Sequence, residues 1–356
     1  MTSAIFRRVR PEQVREIALL VVIVVIVAFF ATQLPDYLSG RTFNRVSTSV
    51  PIIVVVAVGQ TLVVLTRNID LSVGAVVGVV AWEMGSLLGQ FPGLDPILAV
   101  LVCVSMGAAF GAVNGVIVAY GGVPAIVTTL GTMALYRSLL VAISGSEPIT
   151  TPGLPQWLLD LNGIVLLEFD GFDIRVLPPI ALLVAVVFGL GLRYLHVGRR
   201  LYAIGSNPDA ARLAGLPVKR DVFVAFVLCG ALAGLGGFMW LVRFGNIDTL
   251  SATGFELAVV AAVVVGGVNI FGGSGSVLGV VLGAILLTLL DQSLIRWTAV
   301  SEFLRDALLG LLILLAVASD KIILERMRAA WVRTRRRDEA RATGADLGGP
   351  EVRAGA

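Results

Sequence analysis

One histidine, two cysteines and a 14% share of charged residues in a chain of 356 exclude a good deal before any motif is read. A soluble chain carries nearer a quarter charged residues. Cys103 and Cys229 both lie in apolar blocks and imply no disulfide framework, and with His196 alone beside them they cannot build an ordinary structural zinc site. No G-x-x-x-x-G-K-S/T occurs, so the chain has no loop of that kind with which to bind and hydrolyse ATP. H-E-x-x-H and G-x-S-x-G are missing too, and one histidine leaves no convincing catalytic triad. The expectation is a protein that is not an enzyme and holds no cofactor or metal of its own, with no nucleic acid among its partners.

What is present is apolar. The chain is 57% hydrophobic with a mean hydropathy of +0.93, and its apolar residues come in blocks near the roughly 20 residues that cross a bilayer. Blocks fall at 17–33, 46–66, 71–89, 96–119, 123–144, 178–195, 220–242, 254–270, 275–295 and 303–319. The fold class is an all-α polytopic membrane protein of about ten transmembrane helices. A membrane barrel's alternation is absent. The first block follows Arg7, Arg8, Arg10 and Arg15 as a signal peptide would, but it is long and no small-x-small cleavage pattern follows "LPDYLSG", so it reads as a retained helix.

Charge sets an orientation. With the N-terminus in the cytoplasm, most of the 27 lysines and arginines fall on interior segments, including Arg67, Arg193, Arg199, Arg200, Arg212, Lys219, Arg220 and the tail, as the positive-inside rule asks. Both termini are then cytoplasmic. Residues 1–320 form a transmembrane domain, and 321–356 a tail that is basic ("RAAWVRTRRR") and then disordered. The long segment 145–177 is external. Within it Asp170-Gly171 separates two β-prone runs in "IVLLEFDGFDIRV", a hairpin signature, and "LPQWLLDL" is an amphipathic run fit for the interface. The segment reads either as a cap over the helices or as a landing surface for an external partner.

The longest polar interruption is "HVGRRLYAIGSNPDAARLAGLPVKRD", His196 to Asp221. Asn207 is a good N-cap, Pro208 suits the first helical position, Asp209 meets the positive end of the dipole, Gly215 can take the left-handed position and Pro217 prevents continuation. That writes a helix over 208–214, too short to be stable alone. Its Ala210, Ala211 and Ala214 are small and Leu213 is its main apolar contact. It either packs on its own domain or fits a groove on a cytoplasmic partner.

Polar residues inside or between apolar blocks are the other candidates. Asn68 and Asp70 lie in "LTRNIDLSVG", between two blocks. Asp70 is either a plain helix cap or part of a pathway, if the break lies at membrane depth. Gln60, Asn114, Thr128 and Glu256 join them as tentative pathway residues. Asn114 sits in "GAAFGAVNG", a small-residue face suited to close helix packing, and Glu256 lies near a block end where an interfacial position is equally natural.

Together "GRRLYAIGSNPDAARLAGLPVKR", "TRNIDLSVGA", "VPAIVTTLGTMALYRS" and "VVGGVNIFGGSGSVLGVVLGA" resemble the ribose/branched-chain amino-acid type of ABC-importer permease, from about Ile17 to Ser319. Within it the sequence is most similar to autoinducer-2 import permeases, with rhamnose and ribose permeases close behind. The resemblance implies a permease subunit in a bacterial cytoplasmic membrane. It would pair with a second permease, homo- or heterodimeric, two cytoplasmic ATPases that carry the ATP-Mg, and an external sugar-binding protein. It implies that 198–217 is the ATPase-coupling loop, through Gly198, Arg199, Ala203, Gly205, Asn207, Ala210, Ala211 and Gly215. Arg200 carries no role in that match, and Pro208 departs from it while keeping helix geometry. The alternative is a stand-alone secondary transporter or channel for a small polar solute.

Overall fold

The computed structural model describes residues 11–169 and 171–297, together with 301, 304, 307–308 and 310–311. The helices and hairpin belong to one unit that ends at Leu309. The tenth apolar block, 303–319, and the tail from 321 lie outside the described residues almost entirely.

The chain runs α1 (Pro11–Gln33), α2 (Gly40–Leu65), α3 (Val73–Gln90), α4 (Pro96–Gly115, prolonged by a π-turn over Val116–Tyr120), α5 (Ala125–Ser144) and a short α6 (Gln156–Gly163). A hairpin follows, β1 (Val165–Phe169) and β2 (Phe172–Arg175). Then come α7 (Leu177–Tyr194), α8 (His196–Ser206), α9 (Pro208–Leu213), α10 (Val218–Phe244), α11 (Phe255–Val265) and α12 (Val277–Arg296). Eight of these are long and apolar enough to cross a membrane. The ninth expected block, 254–270, holds only the 11-residue α11. At 1.5 Å per residue that spans about 16 Å, half a bilayer core.

Burial sorts the long helices into two shells. The best apolar window of α2 is 83% buried and that of α1 only 11%. α3, α10 and α12 are central with α2, whereas α4, α5 and α7 present rows of exposed Leu, Val and Ile such as Leu101, Leu130 and Leu182. In a protein whose solvent is lipid, those rows are the expected outer wall.

The tightest seam joins α4 to α10. Gly107 and Gly111 lie against Gly230 and Gly234, so close that a Cβ on any of them would strike the partner helix's backbone. Both cysteines sit buried and unpaired in these two helices. The small-residue face read from "GAAFGAVNG" is therefore a packing face. Backbone cannot yield as a side chain can, so Gly230→Val is expected to cost about 3 kcal/mol or more. Thermal unfolding in detergent reads this as a clear drop in melting temperature.

The hairpin forms as the Asp170-Gly171 pattern predicts. Phe169 pairs with Phe172 across a two-residue connection, and Gly171 holds φ +85. It packs on the start of α2. Phe43 meets Phe172 edge-on at 5.6 Å, and Asn44 exchanges two 2.9 Å hydrogen bonds with Asp173. The other end of α2 meets α8, so the hairpin and the polar segment 196–217 lie at opposite ends of one 26-residue helix.

Candidate functional site, two broken crossings that meet

The first break follows Leu65. Thr66 closes the helix by donating its hydroxyl to Val63 O at 2.8 Å, and Arg67 takes a left-handed φ of +67. Residues 68–72 are then non-helical and double back along α2. With its amide turned to satisfy both groups, Gln60 donates to the Asp70 carbonyl at 3.2 Å and accepts from its N–H at 3.0 Å. Gln60 lies five residues before the end of α2, so Asp70 sits about 7 Å inside the helical layer. The break is thus irregular backbone inside the helical layer, tolerable there because protein satisfies it. Thr129 completes the task, accepting from Leu71 N–H at 3.0 Å and donating to Ile69 O at 3.3 Å.

The Asp70 carboxylate is 1% exposed and held by neutral donors. Oδ1 accepts from Ser72 N–H at 2.8 Å and from Ser72 Oγ at 2.7 Å. Asn114 Nδ2 reaches Oδ2 at 3.3 Å and Ser72 Oγ at 2.8 Å, and Tyr136 donates to Asn114 Oδ1 at 3.4 Å. Among the described residues no cation pairs with it. Asp70 therefore does more than start α3. The residue in the N-cap position is Ser72, itself in helical φ/ψ.

The second break precedes α11. Ile247 bridges to Ile149, and 248–254 then turns without helix, with Ala252 at φ +57, before α11 begins. The two breaks touch. A Cβ on Gly74 would strike Glu256 Oε2 and Ala252 O, and one turn on, a Cβ on Gly78 would meet Ser251 O and Arg137 Nη1. Arg137 Nη1 donates to Ser251 O at 2.6 Å, and Glu256 Oε1 accepts from Gly254 N–H at 3.2 Å. Their other terminal atoms, Arg137 Nη2 and Glu256 Oε2, are buried with no hydrogen-bond partner. A guanidinium donor and a carboxylate acceptor thus stand unsatisfied along one glycine face of α3. Such atoms need partners, and hydroxyl groups can serve both.

The structure brings Gln60, Asp70 and Asn114 into one network and sets Glu256 where the second break meets the start of α3. Asn68 stays apart, donating only to Thr66 O and Oγ1, both at 3.0 Å. Thr128 is buried beside the network and its hydroxyl has no partner. Thr129 and Arg137, two further polar residues within the apolar blocks, belong to the site, and so do Ser72 and Tyr136, to which the motif reading gave no part. Thr129 stands next to Thr128 in "VTTL", but only the helix's rotation decides which threonine faces the break.

The segment 196–217 holds two helices. α9 is capped as expected, with Asn207 Oδ1 accepting from Asp209 and Ala210 N–H at 3.1 and 3.0 Å, and Gly215 at φ +77. It covers Pro208–Leu213, one residue short of the expected 208–214. The coupling candidates divide by face. Gly198, Gly205 and Ala211 turn inward, and Arg199, Ala203, Asn207, Ala210 and Gly215 turn outward. Leu213, the helix's main apolar residue, is 90% exposed. Arg200, which the motif match passed over, grips the buried Asp221 carboxylate with Nε at 2.7 Å and Nη2 at 3.0 Å. Arg67 donates Nε to Gly205 O at 2.6 Å and Nη2 to Ser206 O at 2.8 Å. Gly273 N–H bonds Leu65 O at 3.1 Å where Gly205 packs. The glycine-rich stretch is thus a seat for close backbone approach, and α8 is tied to the break that carries Asp70.

Among the described residues, eight helices long and apolar enough to cross a membrane, with two breaks that meet, mark a polytopic membrane protein. The family described as "Branched-chain amino acid transport system / permease component" matches residues 42–317, and the chain belongs to it. The autoinducer 2 import system permease protein LsrC of Salmonella typhi is 35% identical over 91% of this chain and 90% of its own length. Its namesake from Escherichia coli (strain K12 / DH10B) is 36% identical over 91% of both. No solved structure matches.

Proposed function

We propose that this chain is the membrane-spanning subunit of an ATP-driven importer for a sugar or sugar-like solute of the autoinducer-2, rhamnose or ribose class. The observation that carries the reading is the match to the autoinducer-2 permeases across 91% of the chain. In this reading the subunit sits in a bacterial cytoplasmic membrane with both termini inside and pairs with a second permease. Residues 145–177 face an external sugar-binding protein. Residues 198–217 dock on cytoplasmic ATPases, which hold the ATP-Mg. The residues that carry docking are the outward Arg199, Ala203, Asn207, Ala210 and Gly215 with Leu213. Gly198, Gly205 and Ala211 let the segment lie close to its own domain.

The pathway runs along the meeting of the two breaks. Asp70, Asn114, Gln60, Arg137 and Glu256 offer donors and acceptors with apolar α3 beside them, which suits a neutral polyol. ATP-driven docking moves α8, and Arg67 passes that movement to the backbone holding Asp70.

The test is uptake by proteoliposomes holding the chain with a candidate ABC ATPase and sugar-binding protein, offered autoinducer-2, rhamnose and ribose. Uptake of at least one is expected only with ATP and both partners. Uptake by the permease alone would overturn the reading in favour of a secondary transporter.

A further inference from the structure

At the end of the molecule away from α8 and α9 lies a cavity of about 400 Å³ lined by Arg41, Asn44, Arg45, Thr48, Arg175 and Arg243. Arg41, Asn44, Arg45 and Thr48 follow i, i+3, i+4, i+7 spacing on α2, so one helix face supplies four of the six. β2 supplies Arg175, and the last turn of α10 supplies Arg243. Four guanidinium groups converge, and among the described residues none has an acidic partner.

The hydrogen bonds make the lack sharper. Asp173 is the acid at hand, but both its side chain and its N–H are engaged by Asn44 at 2.9 Å. Arg175 gives only Nη1 to Asn162 O, at 3.2 Å. The Nε atoms of Arg175 and of Arg243 are both buried without a partner. Like charges gathered with unmet donors are a cost to the empty fold. A bound oxyanion reverses that cost, because guanidinium forks match phosphate oxygens in pairs.

We infer that this cavity is a binding site for a phosphate-bearing anion, held by Arg175 and Arg243 from within and by Arg41 and Arg45 at the rim. It is separate from the network around Asp70 and does not depend on what the pathway carries. The phosphate can come from a lipid headgroup, since the cavity sits at the ends of spanning helices, or from a soluble ion.

The full chain in detergent at constant ionic strength separates these sources. Inorganic phosphate replacing chloride is expected to raise the melting temperature if the ion is soluble. Native mass spectrometry in mixed micelles is expected to retain phosphatidylglycerol over phosphatidylcholine if it is a headgroup. Either result supports the site. Arg175→Gln with Arg243→Gln should weaken binding by about ten-fold or more, the loss of at least one charge-assisted pair. Arg243→Lys should fall between, and Arg220→Gln, exposed near the opposite end, should change nothing. Arg45→Gln, on the exposed face of α2, gives a variant whose folding is not at risk and should also weaken binding. No phosphate-dependent stabilisation together with equal retention of the two lipids overturns the proposal. So does binding that survives the double substitution unchanged.

Discussion

Asp70→Asn is expected to lower solute uptake by about ten- to a hundred-fold, the worth of one hydrogen bond to a charged acceptor, while the melting temperature stays nearly unchanged. Asn caps and turns a chain about as well as Asp, and its one oxygen can take both bonds that Ser72 now gives to Oδ1 at 2.7 and 2.8 Å. Gln60 holds residue 70 through its backbone, which the substitution leaves alone. The local loss is at Oδ2, where an amide would face the Asn114 amide. Asn114 can turn over, since Tyr136 can accept as well as donate, and removing a buried charge offsets the remainder. What cannot be replaced is a carboxylate that no cation neutralises. Uptake and melting temperature measured on one preparation decide it. Wild-type uptake would retire the pathway reading and leave "NID" as a helix start.

The fold was legible where single residues carry unambiguous chemistry. Apolar blocks marked eight long helices, Asn207 and Pro208 marked α9, and Asp170-Gly171 marked the hairpin. The second break was hidden, because 254–270 reads as one apolar block around Glu256 and Asn269, and hydropathy does not separate a half helix from a full one. The depth of Asp70 was hidden for a different reason. It depends on Gln60, ten residues earlier, pairing with backbone, and backbone has no signature in a sequence. Arg67 looked like one more interior charge. Its use as a tie to Gly205 and Ser206 follows from its left-handed φ and from a contact 138 residues away.

Leu213→Glu is expected to abolish capture of the partner ATPase and with it ATP-driven uptake, while the isolated permease melts as wild type does. Leu213 is 90% exposed at the end of α9, so its side chain contributes almost nothing to its own fold. Burying a leucine in a partner is worth about 1.5–3 kcal/mol, and an unpaired carboxylate in the same place costs several kcal/mol more. The two effects act together on docking and on nothing else. Ala211→Arg is the weaker probe, although Ala211 lies in the same helix. Ala211 is 5% exposed and faces its own chain, so a long charged side chain there must displace α9 itself. That variant is expected to lose both melting temperature and transport, which a merely structural helix would also show. Leu213 separates the two roles. Loss of ATPase co-purification at unchanged melting temperature assigns α9 to docking. Full capture by Leu213→Glu would return α9 to an element that packs on its own domain, and the search for the docking surface would move to Arg199 and Ala203 on α8.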